Sequence, residues 1–204
     1  MVLWRHGRTA WNDERRFQGH TDIALNDVGQ GQAARAAARL VELRPALLVS
    51  SDMKRAQQTA GELASRVGLD IVLDRDLRET SGGSWEGRRD VELADDPDYR
   101  AWSLGVDIPA GGAETRSQVA DRAVPALLRH VAGLADGQLA VAVTHGGTIR
   151  CVLGRLLDLP VEHWRVFGGL ANCCWSVLGE GRSGWRLTEH NAGSLPEAVL
   201  GDDR

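Results

Sequence analysis

The chain opens on four consecutive apolar residues, Met1-Val2-Leu3-Trp4, followed at once by Arg5-His6-Gly7. That pattern predicts a buried strand running into a loop. Residues 8–25 are polar with scattered aromatics and read as a structured loop. After Asn26-Asp27-Val28-Gly29, Ala33, Ala36, Ala37, Leu40 and Leu43 recur at helical spacing until Pro45 ends the run. Leu47-Leu48-Val49 predicts a second strand. Asp52 is the expected N-cap of the next helix, whose face is Ala56, Ala60, Leu63 and Val67 and whose stop is Gly68. Ile71-Val72-Leu73 predicts a third strand. This β-α-β-α-β rhythm with short connections implies a parallel sheet covered by helices.

Residues 80–113 break the rhythm, punctuated by Gly82-Gly83, Pro97, Pro109 and Gly111-Gly112. They read as an insertion, helical around 90–104, lying over one edge of the site. Thr115-Arg116-Ser117-Gln118 has the form of a capping box, and Val119, Ala123, Leu127, Val131 and Leu134 continue it as a helix. Pro125 inside that helix predicts a kink. Leu139-Ala140-Val141-Ala142-Val143 is apolar throughout, as a central parallel strand buried on both faces would be. Thr144-His145-Gly146-Gly147 then leads into a helix through Ile149, Val152, Leu153, Leu156 and Leu157. Cys173–Leu178 and Trp185–His190 predict a C-terminal hairpin across the Gly-rich loop 179–184, with a loose tail from about Leu195. The expected fold class is α/β: one domain over 1–204, a three-layer α/β/α sandwich with a mostly parallel central sheet and a small helical insertion or lid.

Composition narrows the function. At 43% hydrophobic and 25% charged the chain is ordinary globular material. No apolar run approaches the roughly 18 residues that span a bilayer, and no secretory leader pattern opens the chain, so a cytoplasmic protein without membrane partners is expected. The abrupt start leaves room for a longer native N-terminus. A net charge of −4 argues against general nucleic-acid binding. Cys151, Cys173 and Cys174 are an odd set without a CxxC pair and read as buried, reduced core thiols. Lys54 is the only lysine, and no Walker-type phosphate loop is present.

The chemistry gathers at strand ends. The first strand ends at Arg5-His6, the second leads through Ser50-Ser51 to Arg55, and the central one ends at His145. Open parallel sheets bind ligands beyond the carboxyl ends of their strands, so Arg5, His6, Arg55 and His145 are expected in one crevice. Guanidinium forks and imidazoles suit a tetrahedral oxyanion. Arg55 in the first turn of its helix opposes the helix dipole, which an anion in front of that helix would offset. His145-Gly146-Gly147 offers a second helix N-terminus suited to an anion. A neutral His6, kept unprotonated by nearby guanidiniums, is a competent nucleophile toward phosphorus, with its other nitrogen held by a backbone carbonyl. No ligand-spaced cluster suggests a metal. Glu79 reads equally as an acid near the crevice or as a surface carboxylate paired with Arg78. Glu86, Glu114 and Asp22 read as structural or rim residues. Trp11 and Trp85 are expected at the pocket wall, and Trp102 either covers substrate or packs.

Leu3-Trp4-Arg5-His6-Gly7-Arg8-Thr9 with Asn12 resembles the R-H-G-x-[ST]-x-x-N signature of the histidine phosphatase, or phosphoglycerate mutase-like, superfamily. The segment 50–60 resembles its second block, and Leu77-Arg78-Glu79 with Gly83-Ser84-Trp85-Glu86-Gly87 its third. Gly111-Gly112-Ala113-Glu114 stands, with one extra alanine, where members often have G-G-E-S, and Val143-Thr144-His145-Gly146-Gly147 resembles the last block. The resemblance spans nearly the whole chain. It implies that His6 is a nucleophile forming a phosphohistidine and that Arg5, Arg55 and His145 grip the phosphoryl group. Glu79 would be proton donor and then base, and Asn12, Gln18, His20 and Gly146 further substrate contacts.

The expected function is a metal-independent, cofactor-free phosphomonoesterase for small phosphorylated metabolites of the sugar-phosphate or phosphoglycerate type. The alternatives are a cofactor-dependent phosphoglycerate mutase-type phosphotransferase and a non-catalytic phosphate-binding scaffold. Thr80-Ser81-Gly82-Gly83-Ser84-Trp85 and the single tyrosine, Tyr99, favour hydrolysis, because family mutases usually carry a tyrosine-glycine pair after the glutamate. The C-terminal stretch around Gly168–Asn172 and Trp175 is similar to the actinobacterial phosphatases of the family, a branch that includes glucosyl-3-phosphoglycerate phosphatases. The expected partner is a small-molecule phosphate ester, with a homodimer as one option for assembly.

Overall fold

A computed structural model describes residues 1–182 and 184–193; the tail expected to be loose from about Leu195 lies outside them. In chain order the elements are β1 (Val2–Arg5), α1 (Ala10–Asp13), α2 (Asp27–Leu40), β2 (Leu47–Ser51), α3 (Lys54–Val67), β3 (Ile71–Asp74), α4 (Asp90–Leu93), α5 (Pro97–Ser103), α6 (Arg116–Val131), β4 (Ala140–Thr144), α7 (Gly146–Leu156), β5 (Trp175–Gly181) and β6 (Gly184–Ala192). They build one six-stranded sheet in the order β3-β2-β4-β1-β5-β6. The first four strands run parallel, while β5 and β6 add an antiparallel hairpin to β1. No helix among the described residues is long and apolar enough to cross a membrane.

Strand alternation divides the core. Val2 and Trp4 of β1, with Val141 and Val143 of β4, face α2 and α3. Leu3 and Ala142 point the other way, against α6 and α7. All five residues of β4 are buried, which is why that segment is uniformly apolar. β3 forms an edge instead, and its Val72 and Leu73 are exposed.

Two local expectations change. Asp52 does not cap α3. The N-cap is Met53, Asp22 Oδ1 accepts the Lys54 N–H at 2.7 Å, and the Asp52 carboxylate turns to Arg78 in a fork of 2.7 and 2.6 Å. The loop 8–25 contains the short helix α1, closed by a Thr9–Asn12 capping box. Helix α6 opens on the expected Thr115–Gln118 box and carries Pro125 inside it. The insertion has its own small core of Trp85, Leu93 and Ala110, with Phe17, Tyr99 and Trp102 around it. Arg116 ties it to α6, donating to the carbonyls of Trp102 and Val106 with its guanidinium 4.2 Å over the Trp102 ring. Cys151 and Cys173 are buried free thiols, each pushed up to about 12 by burial; Cys174 is half-buried and also free.

Candidate active site

Parallel register brings the strand ends together. Arg5 pairs with Thr144, so the residues that follow, His6 and His145, meet edge to face with ring centroids 5.1 Å apart. β2 lies on the other side of β4 and delivers Ser51 and the start of α3 to the same edge. His6 is 3% exposed. Its Nδ1–H donates to the Gly7 carbonyl at 2.7 Å, which fixes the tautomer and leaves the Nε2 lone pair to the cavity. Burial first, then the charges of Arg55 and Arg5, hold its pKa well below the ordinary imidazole value. Gly7 is required here by close approach, since a Cβ would sit 2.6 Å from the Gly29 carbonyl at the start of α2.

Arg55 is fully buried. Its Nη2 donates to Gly19 O at 2.8 Å, Nη1 to Thr21 O at 2.9 Å, and Nε to His145 Nδ1 at 3.2 Å. Burial lowers its pKa to about 10, which leaves it cationic at neutral pH. The loop 18–21 that grips Arg55 is organised by Glu86, which accepts the N–H groups of His20 and Gly82 and the Thr21 hydroxyl. Arg5 donates through Nη1 to Leu170 O, while its buried Nε has no protein partner. His145 accepts from Arg55 at Nδ1, so its proton lies on Nε2, facing Ser51 Oγ at 2.9 Å. Burial and then Arg55 hold its pKa well below the ordinary value too.

Glu79 is not a surface partner of Arg78. Its Oε1 accepts from Thr80 N and Thr148 N, at 2.9 and 3.0 Å, and its Oε2 from Gly147 N at 3.0 Å. The group in front of the α7 N-terminus is thus the protein's own Glu79 side chain. The Glu79 backbone is held by Arg122, which donates to the carbonyls of Asp76, Arg78 and Glu79 and is ion-paired with Glu114 at 2.7 Å.

These groups line a cavity of about 240 Å³. The lining includes Arg5, Arg55, Arg150, Glu79, Gly147 and, from the insertion, Trp102. A larger depression of about 830 Å³ opens at the amino ends of the strands, near Met1, Leu139 and Trp185, and holds none of the expected site residues. Of the expected residues, Arg5, His6, Asn12, Gln18, Arg55 and Glu79 line the cavity. His145 lies behind it, both nitrogens engaged by protein. Asn12 Oδ1 is taken by the Thr9 N–H and hydroxyl. His20 stands behind Glu79, its Nε2 2.9 Å from that residue's carbonyl, and Gly146 is beside Arg5 without lining the cavity. Trp85 is core of the insertion, not pocket wall. Sequence reasoning passed over Arg16, Arg122 and Arg150. Arg150 lies one turn beyond Gly147 on a segment already picked out, the one signal that pointed to it. In a chain with one lysine, arginine alone marks nothing.

Comparisons with known proteins identify the family. Residues 1–193 match the family model of the histidine phosphatase superfamily (branch 1). A glucosyl-3-phosphoglycerate phosphatase of Mycolicibacterium vanbaalenii is 38% identical, over 94% of each chain. The phosphoglycerate mutase-like protein 4 of Arabidopsis thaliana is 39% identical over 83% of this chain and 80% of its own. Among solved structures, a mycobacterial glucosyl-3-phosphoglycerate phosphatase in complex with VO3 superposes with a TM-score of 0.89 at 39% identity, over 94% of this chain and 98% of that one.

Proposed function

The chain belongs to branch 1 of the histidine phosphatase superfamily, and from that premise we propose that it hydrolyses phosphomonoesters in two displacements at His6. It is a phosphoric monoester hydrolase. The observation that carries the mechanism is the His6 ring, anchored at Nδ1 by Gly7 with Nε2 turned to a cavity that also holds the Arg5 and Arg55 guanidiniums.

Nε2 attacks phosphorus, a nitrogen–phosphorus bond forms, and the ester phosphorus–oxygen bond breaks. Arg5 and Arg55 neutralise the equatorial oxygens, and Arg5 Nε is a buried donor awaiting such an acceptor. Glu79 gives a proton to the leaving alkoxide. A water then attacks the phosphohistidine, losing its proton to Glu79, and the nitrogen–phosphorus bond breaks to release phosphate. His145 acts as a positioning residue that orients Arg55 and packs against His6. Asn12 and Gln18 contact substrate from the wall; Gln18 Oε1 is buried without a protein partner.

The kinship with glucosyl-3-phosphoglycerate phosphatases supports substrates of the sugar-phosphate or phosphoglycerate class, and a cytoplasmic location is part of the same proposal. A phosphate-release assay across phosphorylated glycerates, sugars, nucleotides and amino acids, run beside a mutase assay, tests the reading. Release from at least one class is expected, and mutase activity without release would overturn it.

A further inference from the structure

We propose that Glu86 is a positioning residue for phosphoryl transfer: by holding the turn 18–21 it aims the Arg55 guanidinium at the phosphoryl group, so that the insertion sets the geometry of the anion site. This deepens the phosphomonoesterase reading and rests on it. A guanidinium has five N–H bonds in one plane. Three of those of Arg55 are taken by protein, Nε by His145, Nη1 by the Thr21 carbonyl and Nη2 by the Gly19 carbonyl. The two that remain, one on each Nη, point where those carbonyls make them point. Both carbonyls belong to one tight turn, in which the Thr21 N–H donates to Gln18 O at 3.0 Å and Gly19 has a φ of +50°.

Glu86 reaches that turn from the insertion, 66 residues beyond His20. Its Oε1 accepts the His20 N–H at 2.9 Å and the Gly82 N–H at 3.0 Å, and its Oε2 accepts the Thr21 hydroxyl at 2.6 Å. One carboxylate thus joins the turn to the backbone of the insertion. Burial works against its charge, but the bonds from Thr21, His20 and Gly82 outweigh burial and hold its pKa below the ordinary carboxylate value. These bonds are therefore charge-assisted. Glycine at position 19 belongs to the same device, since a Cβ there would overlap Glu86 Oε1. The flanking segments are fastened independently. The Gly87 N–H donates to Phe17 O at 2.9 Å, the Phe17 N–H to Arg88 O at 3.0 Å, and the Lys54 N–H to Asp22 Oδ1 at 2.7 Å. Removing Glu86 frees the two carbonyls that orient Arg55 without detaching the loop around them. Glu86 also acts on Arg55 through space, behind burial, Glu79 and Asp22, and Glu86→Gln separates that charge effect from the hydrogen bonds.

The test is a cycle of Glu86→Ala and Arg55→Lys, read as phosphate release from p-nitrophenyl phosphate. Alone, Glu86→Ala should lower kcat/KM by about 10²-fold, the cost of a guanidinium misplaced by about 1 Å. In the Arg55→Lys background, where there is no fork to aim, the same change should cost no more than about threefold. Glu86→Gln keeps an oxygen for the two N–H groups and turns an amide donor toward the Thr21 hydroxyl, and should stay within about fivefold of the native value. Equal losses in the two backgrounds, as a purely structural role would give, would overturn the proposal. So would a Glu86→Gln protein as impaired as Glu86→Ala. Should Glu86→Ala not fold, Gly19→Ala displaces the carboxylate from the side of the turn and is read in the same cycle, with the same expected and overturning outcomes. Undiminished release by Glu86→Ala removes this inference alone, whereas no release by the native protein removes the phosphomonoesterase reading with it.

Discussion

Arg55 Nε and His145 Nδ1 are joined at 3.2 Å inside a fully buried contact, and that bond makes His145 an acceptor on the side facing Arg55. The imidazole is therefore neutral, with its proton toward Ser51, and it fixes the direction of the guanidinium that faces the cavity. Arg55→Lys keeps the charge and loses the fork. It is expected to lower kcat/KM by about 10²–10³-fold and stability by about 1–3 kcal/mol, since buried carbonyls at Gly19 and Thr21 lose their donors. Steady-state kinetics and urea unfolding measure both. Wild-type values in each would break the proposed link.

His6→Ala is expected to cut turnover by more than about 10³-fold while leaving the fold intact. Acid-quenched wild-type protein should carry phosphate in an acid-labile bond, as a phosphohistidine does. EDTA should leave the rate unchanged, because guanidiniums supply the neutralising charge in this mechanism. Rates restored by an added metal after chelation would contradict it.

Stability should fall as pH drops below about 6.5. His6 and His145 both have folded pKa values depressed by burial and by Arg55, so the unfolded chain binds more protons in that window. Their stabilising contribution is complete above the unfolded value and is lost as pH falls toward the folded one. Each imidazole contributes a slope of at most about 1.4 kcal/mol per pH unit. Unfolding free energies at about pH 7.5 and about pH 5.5 measure the slope, which His145→Asn should reduce. A flat profile between those values would refute the buried neutral pair.

Glu79→Gln should slow esters of aliphatic alcohols about 10²-fold more than p-nitrophenyl phosphate, whose leaving group needs no proton. Gly147→Ala should reproduce much of that loss. A Cβ there overlaps Glu79 Oε1 and lies 3.1 Å from its Cδ, so the carboxylate must move. Equal slowing of both ester classes by Glu79→Gln would remove its acid role.

One substitution made twice should change sign. Gly61 in α3 has nothing within 4 Å of the position a methyl group would take, so Gly61→Ala should stabilise by about 0.5–1 kcal/mol. Gly154 in α7 abuts the Trp164 indole, 2% exposed, and Gly154→Ala should destabilise by about 1–3 kcal/mol. Thermal unfolding of both variants decides, and shifts of the same sign would contradict the packing.

The sheet was legible because β4 is apolar on every residue and the helical faces repeat cleanly. The short α1 was not, since its four residues bury nothing and leave no periodic trace. Asp52 looked like a cap because cap chemistry is local, whereas its partner Arg78 lies 26 residues away. The same distance problem hid Arg122, whose three carbonyl acceptors sit more than 40 residues upstream.

Residue order alone determined which side chains stand at strand ends, because strand periodicity and the turn residues after it are local properties. That was enough to assemble Arg5, His6, Arg55 and His145 as one set; Glu79 joined it only through the family resemblance. Which atom of each faces the cavity was decided only by tertiary structure. His145 turned out to be a support, and the α7 N-terminus to be occupied by Glu79. Hydrogen-bond direction depends on partners brought together by parallel pairing across the sheet, and no local pattern encodes those partners.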